Sequence, residues 1–207
     1  RPETGLDEAY LAETTKRLQK HGIKVFAFIP GDQKKRGPVF EGLPTLESHR
    51  GLLPYVACVE LLSLHGLDGV FVGEMGISKQ QFSLTIDFLH DDEIRIPCSL
   101  YAQDELYDHT FTVRTDSPTG LLRLAESRKY SSPGNSVTEV ANTAQRSRGS
   151  ITIDNILYAR YCGEIQIIKH PLPADRRVNV IGNIDARYIR LLECVKNGQK
   201  LRLVRSW

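Results

Sequence analysis

Acidic side chains follow two apolar runs of the chain, and they are the residues best suited to chemistry. Asp32 and Glu41 lie in the loop after the run 23–29, and Glu74 lies just after the run 70–72. Because the carboxyl ends of parallel strands meet at one edge of a sheet, we expect these carboxylates to converge there. Two carboxyl groups at one rim can cleave a glycosidic bond, one as acid and the other as base or nucleophile. The same set could instead bind a divalent metal ion.

The neighbours of each carboxylate suggest its role. Glu41 lies between Phe40 and Gly42. An apolar neighbour favours the protonated carboxyl that a general acid needs, and the glycine lets the backbone approach a sugar. Glu3, in an opening loop whose alternative is a disordered terminus, would face Glu41 across the rim as its partner. Glu47 is a weaker candidate because it falls in a predicted short helix. The predicted catalytic residues are Glu3, Glu41 and Glu74, with no metal site.

Basic residues in the same loop could bind an anion. Arg36 precedes a Gly-Pro pair that fixes the direction of its backbone, whereas the two lysines before it are more simply solvated. The stretch 76–79 opens a predicted helix, where free backbone N–H groups favour an anion. A solvated loop without a role is the alternative, but loops this long are uncommon unless they are functional. The predicted substrate- or phosphate-binding residues of this half are Arg36, His49, Arg50 and Ser78.

A second group of polar residues lies in the other half of the chain. It comprises 126–128, Arg148 beside a Gly-Ser turn, and Asp154 with Asn155 after a predicted strand. Arginines at such a turn can grip a carboxylate or a phosphate with two hydrogen bonds. The alternative is a hydrogen-bonded scaffold that ties the polar loop 130–147 to a sheet. Both interpretations of Arg148, Asp154 and Asn155 stay open at this point.

The composition is that of an ordinary soluble globular protein. The chain has 207 residues, 41% of them hydrophobic and 25% charged, and a net charge of +2. It shows no nucleic-acid footprint, no apolar run long enough for a bilayer, no signal peptide and no P-loop or dinucleotide motif. The four cysteines lack Cys-x-x-Cys spacing, so we expect buried free thiols in a reducing cytoplasm. Because Met75 is the only methionine, we also expect a processed chain or a fragment.

Helices and strands alternate in the first half. Apolar residues recur there at helical spacing, and short β-branched and aromatic runs are typical of buried parallel strands. The alternation predicts parallel βαβ units. Two strands cannot bury both faces of such a sheet, so this half looks incomplete. The predicted elements are helix 6–21, strand 23–29, a short helix capped by Thr45 that ends at Arg50, helix 54–65, strand 70–72, and helix 79–89 capped by Ser78.

The sequence pattern changes after a charged stretch, 90–93. Mostly antiparallel strands with short helices follow, which favours a small closed or half-closed barrel. The predicted fold class is therefore α/β plus mostly β, with domains 1–92 and 93–207. The predicted elements of the second domain are strands 94–101, 106–114, 150–161, 164–169, 178–181 and 200–204, a helix that starts at Ser117 and carries the leucines of 121–124, and a helix 185–195.

The whole chain resembles one protein family, and five motifs carry the resemblance. They are Arg-Pro-Glu-Thr-Gly at 1–5, Phe-Ala-Phe-Ile-Pro at 26–30, Arg-Gly-Pro-Val-Phe-Glu-Gly-Leu-Pro-Thr-Leu-Glu at 36–47 with His49 and Arg50, Arg-Gly-Ser-Ile-Thr-Ile-Asp-Asn at 148–155, and Arg-Val-Asn-Val-Ile-Gly at 177–182. The family is that of the bacterial 6-phospho-N-acetylmuramidases, often labelled outer surface protein, and the motif at 36–47 is the most specific. One departure is Gly73-Glu74, where the family pattern has Gly-Asp.

The resemblance implies a TIM barrel followed by a cyclophilin-like β-barrel domain. This chain would hold the last two β/α units of the TIM barrel and the whole second domain, and it would be inactive by itself. The implied activity is cytoplasmic hydrolysis of N-acetylmuramic acid 6-phosphate linked to N-acetylglucosamine, in the recycling of cell-wall peptidoglycan. This phosphorylated amino-sugar disaccharide is the implied partner, and no cofactor, nucleic acid or membrane is expected.

The alternative function comes from a different class. A cyclophilin-like barrel with a rim of arginines could be a non-catalytic binding module for phosphosugars or cell-wall fragments. Prolyl isomerase activity is not favoured, because the arginine and aromatic motifs of active cyclophilins are missing. Release of a reducing sugar from the disaccharide would indicate the enzyme, and saturable binding without turnover would indicate the module.

Overall fold

The computed structural model describes residues 1–101, 103–127 and 138–206. It has two compact units, Arg1–Asp92 and Glu93–Trp207, which we call the amino-terminal and the carboxy-terminal unit. Among the described residues, no helix has both the length and the apolar composition needed to cross a membrane.

Three helices and two strands alternate in the amino-terminal unit, as the sequence pattern predicts. The elements are α1 Glu8–Gln19, β1 Phe26–Ile29, α2 Pro54–Ser63, β2 Gly69–Val72 and α3 Lys79–Asp91. β1 and β2 pair in parallel, with Phe26 beside Gly69 and Ile29 beside Val72. The predicted start of the third helix is confirmed, because the Ser78 side chain accepts a hydrogen bond from the backbone N–H of Gln81 at 3.3 Å.

The strand β1 is shorter and less buried than predicted. Ala27 and Ile29 are 2% and 1% exposed, whereas Phe26 and Phe28 on the other face are 48% and 45% exposed. Phe71 of β2 is also exposed and lies beside both of these rings, with centroid distances of 5.4 and 6.0 Å. One face of this two-stranded sheet therefore carries an uncovered aromatic cluster.

The predicted cap at Thr45 is wrong, and its actual contact shapes the loop. The Thr45 hydroxyl accepts a hydrogen bond from the Phe28 N–H at 2.7 Å, and the Thr45 N–H donates to the Phe28 carbonyl at 2.8 Å. These bonds satisfy the free edge of β1. The loop after β1 thus returns along its own strand before a short 3₁₀ helix, Glu47–His49, begins.

The described residues of the carboxy-terminal unit form seven strands and one short α-helix. The elements are β3 Glu93–Leu100, β4 Thr110–Thr112, β5 Leu121–Arg123, β6 Ser150–Asp154, β7 Ile165–Ile168, β8 Val178–Ile184, α4 Leu191–Cys194 and β9 Lys200–Arg205. The strands form one mixed sheet in the order β4-β9-β3-β8-β6-β7-β5. The pair β3–β9 is parallel and the other pairs are antiparallel. A bridge between Val113 and Leu124 joins the two edges, so the sheet is curled into a half-barrel.

The helix predicted from Ser117 is wrong. The leucines at 121–124 belong to β5, which pairs with β7, and the Ser117 hydroxyl accepts a hydrogen bond from the Arg123 N–H at 3.0 Å. Alternate burial then places Leu122 and Leu124 at 2% and 0% exposure. Pairing with β7 prevails over the helix propensity of leucine.

Other boundaries shift because short turns interrupt predicted elements. The predicted strand 150–161 ends at Asp154, where Asn155 caps a 3₁₀ stretch, Ile156–Tyr161. The predicted helix 185–195 is a 3₁₀ turn, Ala186–Tyr188, followed by the short α4. Of the predicted loop 130–147 and the motif 126–128, the residues 128–137 lie outside the described part of the chain.

The cysteines are unpaired, as predicted. Cys58, Cys98 and Cys194 are buried and Cys162 is half-buried. Burial raises the pKa of the Cys58 and Cys98 thiols to about 12. These thiols are core side chains and not nucleophiles at neutral pH.

Candidate active site

Two loops meet at the carboxyl ends of β1 and β2 with their backbones in close approach. A methyl group built on Gly31 would collide with the carbonyl oxygen of Gly76, and one on Gly73 would collide with the carbonyl oxygen of Leu43. The Gly73 N–H also donates to the Ile29 carbonyl at 2.9 Å. Glycine is therefore required at both strand ends for these loops to form one rim.

Asp32 holds the first loop against the start of α3. Its carboxylate accepts a hydrogen bond from the Ser78 N–H at 2.6 Å and another from the Ser78 hydroxyl at 2.5 Å. The helix start does bind an anion, as the sequence suggests, but the anion is this internal carboxylate. The assignment of Ser78 as a substrate-binding residue is corrected, because both of its donors are occupied.

Glu74 lies beneath the same loop and has one oxygen without a donor. Its Oε2 atom accepts a hydrogen bond from the Arg36 N–H at 2.7 Å. Its Oε1 atom is buried and has no hydrogen-bond partner among the described residues. A methyl group on Gly42 would lie 3.6 Å from that oxygen. An unpaired buried carboxylate oxygen at a rim is suited to accept a hydrogen bond from a bound hydroxyl group.

Glu47 and Arg50 form an ion pair that we call the clamp. Arg50 Nε lies 2.5 Å from Glu47 Oε1, and Arg50 Nη2 lies 2.7 Å from Glu47 Oε2. The same carboxylate accepts hydrogen bonds from the Glu3 N–H at 3.0 Å and the Gly5 N–H at 2.8 Å. Hydrogen bonding from Arg50 is the main reason that the pKa of Glu47 is lowered to about 2. The clamp thus fixes the opening segment, residues 1–5, by accepting hydrogen bonds from the backbone of that segment.

The other side of the clamp fixes the loop that carries Glu41. Arg50 Nη1 donates to the carbonyl oxygens of Glu41 at 3.0 Å and Gly42 at 2.8 Å, and Nη2 donates to the Arg1 carbonyl at 3.3 Å. With its two bonds to Glu47, the guanidinium uses all of its N–H donors. Arg50 therefore positions the loop and has no donor left for a phosphate. This corrects the sequence-based assignment of Arg50 to substrate binding.

The side chains of Glu3 and Glu41 remain exposed while the clamp holds their backbones. Neither carboxylate forms a hydrogen bond or ion pair within the described part of the chain. A cavity of about 170 Å³ lies beside Glu41 and is also lined by Asp32, Lys35 and Arg50. Lys35, which the sequence suggested was merely solvated, is half-buried at this cavity. The cavity thus combines the free carboxylate of Glu41 with a nearby cation, and the clamp fixes the backbone of Glu3 as well.

Arg36 is a free cation at the same rim. Its backbone N–H is held by Glu74, and its exposed guanidinium has no partner among residues 1–101, 103–127 and 138–206. Phe40, four residues later, is 59% exposed with φ of 58°. An exposed aromatic ring on a fixed loop offers a sugar a flat apolar face, a role that the sequence alone does not indicate for Phe40.

His49 is buried and does not face the rim. Its Nε2 atom lies 2.9 Å from Glu60 Oε2, and the two residues are 0% and 3% exposed. This pair ties the 3₁₀ helix Glu47–His49 to α2. The assignment of His49 to substrate binding is therefore corrected, because no solvent reaches its ring.

Comparison of the chain with models of protein families identifies the same family that the motifs around this rim resemble. Residues 1–85 match the family model described as 6-phospho-N-acetylmuramidase, N-terminal, and residues 94–204 match the model described as 6-phospho-N-acetylmuramidase, C-terminal. The chain belongs to the 6-phospho-N-acetylmuramidase family. A search among curated proteins finds no significant match.

Two solved structures share the fold of this family member. A conserved protein of unknown function from Enterococcus faecalis is 33% identical, with a TM-score of 0.85, over 100% of this chain and 56% of its own. An uncharacterized B. cereus protein is 27% identical, with a TM-score of 0.85, over 99% of this chain and 60% of its own. The chain thus spans little more than half the length of these relatives.

The polar residues singled out in the carboxy-terminal unit form scaffold contacts. Asn155 donates to Arg176 O at 2.8 Å and to Asn179 Oδ1 at 2.9 Å, and it is 0% exposed. Asn179 in turn donates to the Glu139 carbonyl at 2.7 Å and accepts from the Ala141 N–H at 3.1 Å. These bonds tie the described end of the polar loop to β8. These contacts of Asn155 favour the scaffold interpretation.

Arg148 and Asp154 likewise lack the geometry of an anion site. Arg148 pairs with Glu193 at 2.8 Å on the surface. Asp154 is 4% exposed, and its Oδ1 atom has no partner among the described residues. Burial, and then the nearby charge of Glu164, raises the pKa of Asp154 to about 7 against the opposing effect of Arg123. Because the side chain is buried and the neighbouring charge of Glu164 is negative, this position is unsuited to a phosphate, and the assignment of Asp154 to substrate binding is also corrected.

The raised pKa of Asp154 makes the stability of the protein fall as the pH rises. The native state keeps the proton up to about pH 7, whereas the unfolded carboxyl loses it near its ordinary value of 3.8. The contribution of Asp154 to the free energy of unfolding is therefore fully present below pH 3.8, and it is lost as the pH rises through about 7. Asp154→Asn, which stays neutral, should gain about 2–4 kcal/mol relative to the parent between pH 4 and pH 8. Urea unfolding of the chain, followed by circular dichroism across this range, measures the difference.

Asp175→Asn is the matched control for this experiment. The Arg177 hydrogen bonds hold the pKa of Asp175 at about 2, so its difference from the parent should stay constant between pH 5 and pH 8. A constant difference for Asp154→Asn as well would contradict a protonated native Asp154.

Proposed function

We propose that the full-length protein, meaning a chain as long as the solved relatives, is a glycoside hydrolase. Its proposed substrate is N-acetylmuramic acid 6-phosphate linked to N-acetylglucosamine, released in cell-wall recycling. Membership of the 6-phospho-N-acetylmuramidase family supports a glycosidase-related function. The observation that carries the proposal is the clamp, which holds the backbones of Glu3 and Glu41 around one ion pair and leaves both carboxylates free. Two such groups are what glycoside cleavage requires.

In this mechanism Glu41 is the general acid. It donates a proton to the glycosidic oxygen as the bond to the sugar carbon breaks, so the leaving sugar departs as a neutral alcohol. Glu3 is the partner carboxylate, which faces the positive charge that develops on the sugar ring. As base or nucleophile it completes the hydrolysis, in which water supplies the hydroxyl group that ends on the same sugar carbon. The unpaired Oε1 atom of Glu74 accepts a hydrogen bond from a sugar hydroxyl and orients the ring. Phe40 offers a flat surface for the same ring.

The phosphate group is assigned to the free cations of the rim. The Arg36 guanidinium is exposed and unpartnered within the described residues, and Lys35 lines the cavity beside Glu41. Arginine binds a phosphate with two parallel hydrogen bonds. The backbone of Arg36 is held by Glu74, so one carboxylate links the proposed phosphate site to the proposed sugar site.

The remainder of the proposal concerns the whole protein. Its fold is a TIM barrel that includes β1 and β2 as its last two strands, followed by a cyclophilin-like domain. The uncovered face of Phe26, Phe28 and Phe71 supports this, since an apolar face of that kind needs further elements to bury it. Free buried cysteines support a cytoplasmic location. The 207-residue chain by itself would be inactive, because the barrel around its site would be incomplete.

Arg36→Ala in the full-length protein should raise KM for the phosphorylated disaccharide by about 10- to 150-fold, the loss of one charge-assisted hydrogen bond. KM for the dephosphorylated disaccharide should change little. Initial rates of reducing-sugar release on both substrates measure this. Lys34→Ala removes an exposed neighbouring charge and serves as the control. Equal losses on the two substrates would rule out a phosphate role for Arg36.

Turnover separates the enzyme from the binding module. The full-length protein should release one reducing sugar for each phosphorylated disaccharide consumed, with rates that saturate. Saturable binding measured by calorimetry, without any release, would instead support a non-catalytic module for phosphosugars.

A further inference from the structure

A second and larger cavity, of about 590 Å³, lies within the carboxy-terminal unit. Its size falls in the range of small-molecule sites. It is separate in sequence from the rim of Glu41, since every residue that lines it comes after position 100. The residues that carry the argument are Gln103, Glu105, Glu139, Ala141, Ile153 and Ile165.

The floor of this cavity is apolar and is formed by strands of the sheet. Ile153 and Ile165 come from the paired strands β6 and β7, and Val180 comes from β8; they are 5%, 0% and 6% exposed. One wall is the segment 138–142, held along β8 by the Val180 N–H bond to the Asn142 carbonyl at 2.7 Å. A floor of this kind binds the hydrocarbon part of a ligand.

Three acceptor side chains at the cavity have no donor among the described residues. The Gln103 side-chain oxygen is buried and has no partner among the described residues, on a backbone with φ of 60°. Glu105 and Glu139 both line the cavity, are exposed, and form no side-chain hydrogen bond or ion pair with any residue described. No lysine or arginine is among the lining residues. The cavity therefore presents negative charge above an apolar floor.

We propose that this cavity binds an organic cation with an apolar body, such as a primary amine that carries an aromatic or branched aliphatic group. The ammonium group donates hydrogen bonds to Glu105, Glu139 and Gln103, while its hydrocarbon part covers Ile153 and Ile165. A phosphorylated sugar is repelled by the two carboxylates, so this site takes a ligand of different chemistry from the proposed substrate. The described residues hold no group of three or more metal-ligating side chains, which disfavours a metal ion.

Ligand-observed NMR with the 207-residue chain tests this proposal, using 2-phenylethylamine as the probe. The uncharged 2-phenylethanol has the same apolar body, and 3-phenylpropanoate has the opposite charge. The amine should bind about tenfold more tightly than the alcohol, because two partly exposed carboxylates each contribute modestly. The carboxylate probe should not bind.

Variants then assign the binding to the cavity. Glu105→Gln combined with Glu139→Gln should bring the amine to the affinity of the alcohol and leave the alcohol unchanged. Ala141→Phe, which places a ring in the cavity, should weaken both. Asp108→Asn removes an exposed carboxylate outside the lining and should change neither. Equal affinity of amine and alcohol for the parent, or an amine preference that survives the double substitution, would overturn the proposal; circular dichroism checks that each variant is folded.

Discussion

Glu41→Gln in the full-length protein is expected to lower kcat by about 10²–10⁴-fold, the usual contribution of general acid catalysis. Glutamine keeps the size of the side chain, and Arg50 holds residue 41 through its backbone carbonyl, so the loop should keep its conformation. Only the transferable proton is lost. Steady-state release of reducing sugar measures the change, and Glu13→Gln, an exposed carboxylate of α1, is the matched control.

The pH dependence gives a second result for the same variant. The parent should lose activity on the alkaline side as the acid gives up its proton, and Glu41→Gln should lack that limb. A variant with near-normal kcat and an unchanged profile would mean that Glu41 only shapes the loop. Glu3 or Glu74 would then be the better candidate for the acid.

Breaking the clamp is expected to have the second large effect, although neither of its side chains touches the substrate in our proposal. Arg50→Ala removes the bonds to the carbonyls of Glu41, Gly42 and Arg1, and it leaves Glu47 without its cation. Displacing a catalytic group by about 1 Å can cost about 10²-fold in rate. We therefore expect kcat to fall by about that much or more, with a smaller change in KM. Arg17→Ala, an exposed arginine of α1, is the control.

Conservative variants separate positioning from folding. Arg50→Lys keeps the positive charge but not the planar guanidinium. The lysine can therefore pair with Glu47, but it cannot also donate hydrogen bonds to the carbonyls of both loops. It should restore thermal stability better than it restores kcat. Glu47→Gln combined with Arg50→Lys should cost little more than either single variant, because both act on the same contacts. Strictly additive losses in kcat, or full recovery of kcat by Arg50→Lys, would contradict a positioning role.

The sequence could predict the rim because glycine and strand signals are local. Apolar runs bounded by Pro30, Gly31 and Gly73 indicated where β1 and β2 end, and parallel strands bring such ends together. The position of Ser78 immediately before α3 likewise predicted that it caps this helix. The sequence does not show which groups pair across the rim. Asp32 and Ser78, for example, form a hydrogen bond although they are 46 residues apart in the chain.

The residues whose roles were predicted wrongly depend on contacts between distant parts of the chain, which local sequence patterns do not show. The predicted helix makes Glu47 a weaker site candidate, yet its spacing of three from Arg50 is the spacing of a helical ion pair. That spacing could have indicated the clamp, but not its bonds to residues 1–5. The sequence predicts a helix where β5 lies, because the spacing of its leucines fits a helix and a strand equally well, and only the pairing with β7 decides between them.

A crystal structure of the full-length protein with the phosphorylated disaccharide bound is the most direct test of the central claim. An inactive Glu41→Gln variant would hold the intact substrate. We expect the glycosidic oxygen within about 3 Å of the side chain at position 41 and the phosphate on the Arg36 guanidinium. A disaccharide bound away from the ends of β1 and β2, with the rim of Glu3, Glu41 and Glu74 unoccupied, would contradict the account.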